Sequence, residues 1–124
     1  MKVALVGATG KAGSRVLNEL VNRGHQVTGI VRHPENVPKL DGVTAIGTDG
    51  SRELKITDAL DWTFISPSRL FRAGERTGTF RYGKDHLLID KEGNSKISFE
   101  DFALALVDEL EQPKYIRQRF TVGY

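Results

Sequence analysis

The sequence predicts an α/β fold built on a parallel sheet, and three observations predict it. The apolar, β-rich run Met1 to Val6 stops at Gly7. The segment Lys11 to Arg23 then repeats Ala12, Val16, Leu20 and Val21 at helical spacing and closes at Gly24. A second β-branched run, His25 to Val31, ends at Arg32-His33-Pro34. Strand, glycine turn, helix and strand in that order make a parallel βαβ unit.

Further elements follow in order. A third strand is expected at Val43 to Ile46, then the polar stretch Gly47 to Arg52 and a weak helix ending near Leu60. Trp62 to Ile65 reads as a strand halted by Ser66-Pro67-Ser68, and residues 69 to 78 read as loop. Trp62 and Phe64 alternate there and are expected to fill core. Short strands are expected at Thr79 to Tyr82 and Leu87 to Asp90, with a turn over Asp90 to Ser95. Ser98 opens a helix, with Asp101 three residues on as the reciprocal acceptor of a capping box. Its apolar stripe is Phe99, Phe102, Ala103, Leu106, Val107 and Leu110, ending before Pro113, and a last strand is expected at Arg119 to Val122.

Composition narrows the function. The chain has 124 residues, 39% of them apolar and 27% charged, which fits a single domain with residues 1–50 as its first βαβ unit and third strand and 51–124 as its second part. Without cysteine there is no disulfide framework, thiolate nucleophile or Cys-type zinc site. No apolar run approaches the ~18 residues of a membrane span, so no membrane partner and a cytoplasmic location are expected. A net charge of +2, spread along the chain, gives no basic stripe and so no nucleic-acid partner.

The chemistry sits in the first glycine turn. Gly7-Ala8-Thr9-Gly10-Lys11-Ala12-Gly13 spaces its glycines as G-x-x-G-x-x-G between a strand and a helix. Glycine permits the sharp turn, close backbone approach to a diphosphate, and tight packing of helix on strand. The N–H groups and positive dipole end of the helix starting near Lys11 face the anion, and Thr9 adds a hydroxyl donor. At the end of the second strand, an NAD site would place a carboxylate for the ribose 2′-OH; here stands Arg32, with His33 beside it and no acid before Glu35. A guanidinium suits a 2′-phosphate, which favours NADP(H) over NAD(H).

MKVALVGATGKAGSRV, the VRHPE segment and the tail from DWTFISPS to IRQRFTVGY resemble the NmrA-like, NAD(P)H-binding atypical branch of the short-chain dehydrogenase/reductases, and within it the bacterial NADH-flavin reductase group. The resemblance implies a Rossmann fold, a three-layer α/β/α arrangement with a parallel sheet, and hydride delivery to FMN or a similar small-molecule acceptor. Carried over by position, it puts Gly7, Thr9, Gly10, Lys11, Ala12 and Gly13 around the diphosphate, Arg32 at the adenosine ribose and Asp49 near adenine. Ser66, Pro67 and Ser68 would border the nicotinamide or the acceptor.

The chain departs from that family in length. Its third strand leads almost directly to the segment Leu54 to Ser68, as though the fourth and fifth strands with their helices were deleted. Val3 to Val6 would then have an unpaired edge unless Trp62 to Ile65 moves beside it or a second copy covers it in a homodimer.

No catalytic pair stands out. The family's tyrosine is followed four residues later by lysine on one helix face; here Tyr82 is followed by His86 and Tyr115 by Arg119. Hydride transfer to flavin needs no such acid, because the cofactors carry the chemistry. The tract Asp90 to Asp101 imitates a calcium loop, but Ser95 replaces its turn glycine and Asp101 its bidentate glutamate, so a β-turn leading into a capped helix is expected and no metal. His25, His33 and His86 are scattered, and Arg69, Arg72, Arg76 and Arg81 read as a solvated run able to draw an anionic acceptor. Three uses stay open: a reductase, a non-catalytic dinucleotide-sensing module, and an inactive deletion variant.

Overall fold

The computed structural model describes residues 1–49 and 61–124, and the chain divides into two units, Met1–Lys55 and Ile56–Tyr124. The helix expected to end near Leu60 lies outside the described residues.

The first unit follows its sequence closely. Strand β1 (Lys2–Val6), helix α1 (Lys11–Asn22), strand β2 (Gln26–Val31), a single 3-10 turn (Pro34–Asn36) and strand β3 (Val43–Gly47) succeed one another. The strands pair in parallel in the order β1-β2-β3, with Val3, Val27 and Val43 in register. Val27, Gly29 and Val31 form the buried face of β2, and α1 packs on β1 and β2 through Val16, Leu17 and Leu20. Glu19 is buried on the same helix because its carboxylate meets the Arg23 guanidinium one turn on, 2.9 Å away. Parallel strands joined by a crossover helix form the Rossmann-like α/β architecture. The opposite sheet face is open, with Val6 72% and Ile46 51% exposed.

The second unit contains β4 (Thr63–Pro67), β5 (Leu70–Arg72), β6 (Arg81–Gly83), β7 (Lys96–Ser98), α2 (Phe99–Glu111) and β8 (Gln118–Gly123). One sheet has the order β4-β8-β6, parallel between β4 and β8 and antiparallel between β6 and β8; β5 and β7 form a parallel pair. Ile97, Phe102, Ala105 and Val122 make the core, with Ile65, Phe71, Phe80 and Leu106 packed against it. Among the described residues β1 ends its own sheet, and β4 hydrogen-bonds to β8 rather than to β1.

Several local expectations fail here, each for a physical reason. Ser66 and Pro67 do not stop β4, because β4 is a terminal strand of its sheet and a proline there forfeits no essential ladder donor. The expected loop 69–78 contains β5, since Phe71 wedges between Phe99 and Phe102 at centroid distances of 4.6 and 4.7 Å. Leu87 to Asp90 alternates like a strand, with only Leu88 buried among Leu87, Leu88 and Ile89, yet the pairing partner of β5 is Lys96–Ser98. Phe64 is 49% exposed and leans on Trp62 at 5.3 Å instead of filling core. Arg81 is not merely solvated; it donates to the carbonyls of Ile89 and Tyr124.

Only half of the capping box at α2 forms. The Ser98 hydroxyl accepts from the Asp101 N–H at 2.9 Å. The Asp101 carboxylate, fully buried, turns away and accepts from the Gly78 N–H, the Thr77 hydroxyl and the Tyr124 hydroxyl. It thereby ties the 77–79 segment and the end of β8 to the start of α2. In the calcium-like tract, Asp90 Oδ1 accepts from the N–H groups of Glu92 and Asn94 at 2.9 Å, which makes an Asx turn. Its carboxyl is held below the ordinary range chiefly by the Asn94 N–H. No helix among the described residues is long and apolar enough to cross a membrane.

Burial and the hydrogen bond to Asp101 raise the Tyr124 phenol above the ordinary 10.0. The neutral phenol therefore stabilises the fold below that pH, and the contribution is lost as pH rises through the folded-state value. Ultraviolet titration should show a phenolate component above pH 10.0 that Tyr124→Phe removes. At neutral pH the same variant should unfold about 1 kcal/mol more easily in urea, followed by Trp62 fluorescence.

Candidate functional site

The turn between β1 and α1 is wound around one carbonyl. Gly7 has φ of +79°, a backbone conformation open to glycine. Its N–H donates to the Ile30 carbonyl at 3.1 Å, and its own carbonyl accepts the Gly10 N–H at 3.0 Å. Gly10 is the N-cap of α1 and accepts the Ser14 N–H at 2.9 Å. A Cβ at Gly13 would stand 1.9 Å from the Gly7 oxygen, so the helix can approach the turn this closely only without a side chain there. Ala8 is buried over Gly29, where a Cβ would come within 3.2 Å of the Ala8 methyl.

The amino end of α1 is chemically open. Gly10 offers no side-chain cap and the first turn carries no acid. The N–H groups of Lys11, Ala12 and Gly13 therefore have no acceptor within the helix, and the positive end of its dipole is unneutralised. Thr9 and Lys11 are exposed beside it. Helix α2 is the internal control, since its start is capped by Ser98 and carries Glu100 and Asp101.

The other expected site residues fall in two places. Arg32 follows β2 directly and is exposed; the Val31 carbonyl accepts the Thr48 N–H at 2.9 Å, which brings the segment bearing the exposed Asp49 alongside the end of β2. These residues and the glycine turn belong to the first unit. Ser66 and Pro67 lie in β4 of the second unit, followed by Ser68, which is buried and donates its hydroxyl to the Val122 carbonyl at 2.8 Å. Tyr82 lies in β6, and the Tyr115 ring stacks on Phe120 at 4.5 Å, so neither stands on a helix with a basic residue one turn away.

One charged residue was passed over in the sequence. In the sequence Glu35 stands only as the first acid after β2, and the 3-10 turn holds its carboxylate 3.5 Å from His33 Nδ1. Pro34 opening the turn, with an acid directly after it, was the available signal. A cleft of about 500 Å³ in the first unit, lined by Lys2, Ala4, Gln26, Thr28, Gly42 and Thr44, lies toward the amino ends of its strands. Ligands of open parallel sheets bind at the carboxyl ends of the strands, where the glycine turn and Arg32 stand, so this cleft lies at the end of the sheet opposite the candidate site.

A sequence profile for NAD(P)H-binding proteins matches residues 7–60, from the first turn glycine onward. A crystal structure from Burkholderia pseudomallei, described as a “putative exported protein”, is 34% identical, with a TM-score of 0.77 and 100% of each chain covered. The chain belongs to the NAD(P)H-binding family. A crystal structure from Bacteroides thetaiotaomicron, described as a “putative epimerase”, is 28% identical, with a TM-score of 0.90 over 99% of this chain and 96% of that one. A “putative NADH-flavin reductase” of Streptococcus pneumoniae shares the fold at 23% identity, with a TM-score of 0.82 over 99% of each chain. The uncharacterized protein YwnB of Bacillus subtilis is 27% identical over 208 residues, spanning 98% of each chain. That alignment is 84 positions longer than this chain's 124 residues, so the difference is an internal segment.

Gly13→Ala should lower the stability of this NAD(P)H-binding fold by about 3 kcal/mol, because the added methyl meets a backbone oxygen that cannot move without unseating α1. The urea midpoint read by circular dichroism checks it, with Ala12→Gly as a control of much smaller effect, about 1 kcal/mol.

Proposed function

We propose that this chain is an oxidoreductase that binds NADP(H) in preference to NAD(H) and passes hydride to a flavin or similar small-molecule acceptor. The observation that carries the binding half is the uncapped, acid-free start of α1 set on a turn that only glycines permit. Membership of an NAD(P)H-binding family supports reading that anion as the diphosphate of a nicotinamide dinucleotide. The N–H groups of Lys11, Ala12 and Gly13 would bind it, with the Thr9 hydroxyl and the Lys11 ammonium beside them. Arg32 would hold the 2′-phosphate through its planar fork, and Asp49 would lie toward adenine.

When bound, the reduced nicotinamide supplies the hydride; the chain's own work is to bind, orient and exclude water. The absence of a tyrosine–lysine pair on a helix face at Tyr82 and Tyr115 agrees with an acceptor that needs no dedicated protein acid. The reductase name carried by the Streptococcus protein supports the same class. A reductase of this kind needs a compartment where its reductant is regenerated, which supports a cytoplasmic location. The internal segment missing relative to YwnB favours a second reading, a dinucleotide sensor without turnover.

Oxidation of NADPH in the presence of FMN or riboflavin, followed by absorbance, tests the enzyme. Turnover above the rate without protein supports the reductase, and binding without turnover moves the assignment to the sensor. For the binding site, Lys11→Glu puts a carboxylate in the first turn of α1. Thermal stability should hold or rise slightly, as acids at a helix start do, while affinity for NADP+ falls about tenfold. Arg32→Ala should weaken NADP+ about tenfold and leave NAD+ within about twofold, measured by calorimetry.

A further inference from the structure

In the second unit a two-stranded sheet turns one face into the core and the other onto a cleft. Strands β5 and β7 pair in parallel, with Leu70 opposite Lys96 and Arg72 opposite Ser98. Phe71 and Ile97 belong to the core, so side-chain alternation puts Leu70, Arg72, Lys96 and Ser98 on the other face. That face floors a cleft of about 510 Å³ walled by the 73–79 segment and Tyr124, within the range of small-molecule sites, about 300–1,000 Å³. The wall has no regular secondary structure, yet it is fastened. The Glu75 carbonyl accepts the Ser98 hydroxyl at 2.7 Å and the Gly74 N–H donates to Glu100 Oε1 at 3.2 Å. Thr77 and Gly78 are held by the buried Asp101 carboxylate. A cleft whose wall is already tied loses little freedom when it is filled.

Three charged side chains line this cleft, and one of them is already matched. Lys96 lies 3.8 Å from the Asp90 carboxylate. Arg72 and Glu75 carry opposite charges into the same cleft, and among the described residues neither side chain has a hydrogen bond or an ion pair. They are close along the structure, since Arg72 stands across from Ser98 and the Ser98 hydroxyl holds the Glu75 carbonyl. Beside them Leu70 is 43% exposed, an apolar surface without cover. We infer that this cleft binds a free α-amino acid with an apolar side chain. The Arg72 fork takes its carboxylate, the Glu75 carboxylate takes its ammonium, and Leu70 meets its side chain. A plain carboxylate would leave Glu75 facing a like charge, and a plain amine would do the same to Arg72, so the zwitterion is the ligand that satisfies both. Every residue involved lies in the second unit. The inference is therefore independent of the dinucleotide reading, which rests on the first.

Calorimetric titration of the full chain tests it, with leucine and phenylalanine as probes. Each is compared with its analogue lacking the ammonium, isocaproate or hydrocinnamate, and with its analogue lacking the carboxylate, isoamylamine or phenethylamine. At least one amino acid should bind, and should exceed both of its analogues by about tenfold, the worth of one charge-assisted hydrogen bond. Arg72→Gln and Glu75→Gln should each weaken that amino acid about tenfold. Far-ultraviolet circular dichroism should be unchanged in both variants, because both side chains are exposed. The two losses should also be selective: Arg72→Gln closes the gap between amino acid and amine, and Glu75→Gln closes the gap between amino acid and carboxylate. The inference is overturned if neither amino acid binds at about 10 mM. It is equally overturned if an analogue binds as tightly as its parent, or if affinity survives both substitutions. Failure of the first unit to bind a dinucleotide alters none of these outcomes.

Discussion

The first unit depends on one contact, the backbone of α1 at Gly13 against the carbonyl of Gly7. An added Cβ would reach 1.9 Å from that oxygen, which is far inside any tolerable approach and means the helix is seated on the turn itself. This contact does more than pack. It sets the line along which the helix leaves β1, and so where the unpaired N–H groups of its first turn point. Gly7 in its left-handed conformation and the bond from Gly10 N–H to Gly7 oxygen are consequences of the same constraint, since the chain must reverse within three residues to bring Gly13 back over Gly7.

The two helices show what that arrangement is for. Both begin after a strand and both bury an apolar stripe. At α2 the orphan donors are satisfied locally, by the Ser98 hydroxyl, and acids lie in the first turn. The carboxylate best placed to complete the cap, that of Asp101, is spent on fastening Thr77, Gly78 and Tyr124. At α1 no side-chain cap or acid is present, and glycine in place of a capping side chain costs roughly a few tenths of a kcal/mol. A helix start without a side-chain cap or an acid leaves its donors open, which is what the proposed diphosphate site requires.

What could be read from residues alone divides along the same line. The first unit was legible because its signals are local: Gly7 and Gly24 punctuate, Val16 and Leu20 keep helical period, and β-branched runs have nowhere else to go. In the second unit α2, β4 and β8 were legible from their own runs, and β6 in part. Phe71 makes β5 a strand by lodging between Phe99 and Phe102, nearly thirty positions on, and no window around residue 71 contains that information. Leu87 to Ile89 failed in the opposite sense, since its alternation is genuine but serves to bury Leu88 alone. Of the site, the glycine turn and Arg32 could be named from spacing, whereas Glu35 required the backbone path of a 3-10 turn that brings it back to His33.

The missing internal segment bears differently on binding and on turnover. Every residue assigned to the diphosphate and to the 2′ position lies in Met1–Lys55, and that unit closes its own turn, helix and sheet with bonds among its own residues. On the proposed reading, the adenosine diphosphate half of a dinucleotide would be held by residues that this chain keeps relative to YwnB. Hydride transfer asks more, because donor and acceptor rings must meet at near-contact distance and in one orientation, and a displacement of about 1 Å can reduce rate a hundredfold. Affinity and catalysis are therefore separable properties here. Val6 and Ile46 are exposed on the face opposite α1, and that exposure loads its penalty on stability rather than on the proposed anion site at the start of α1.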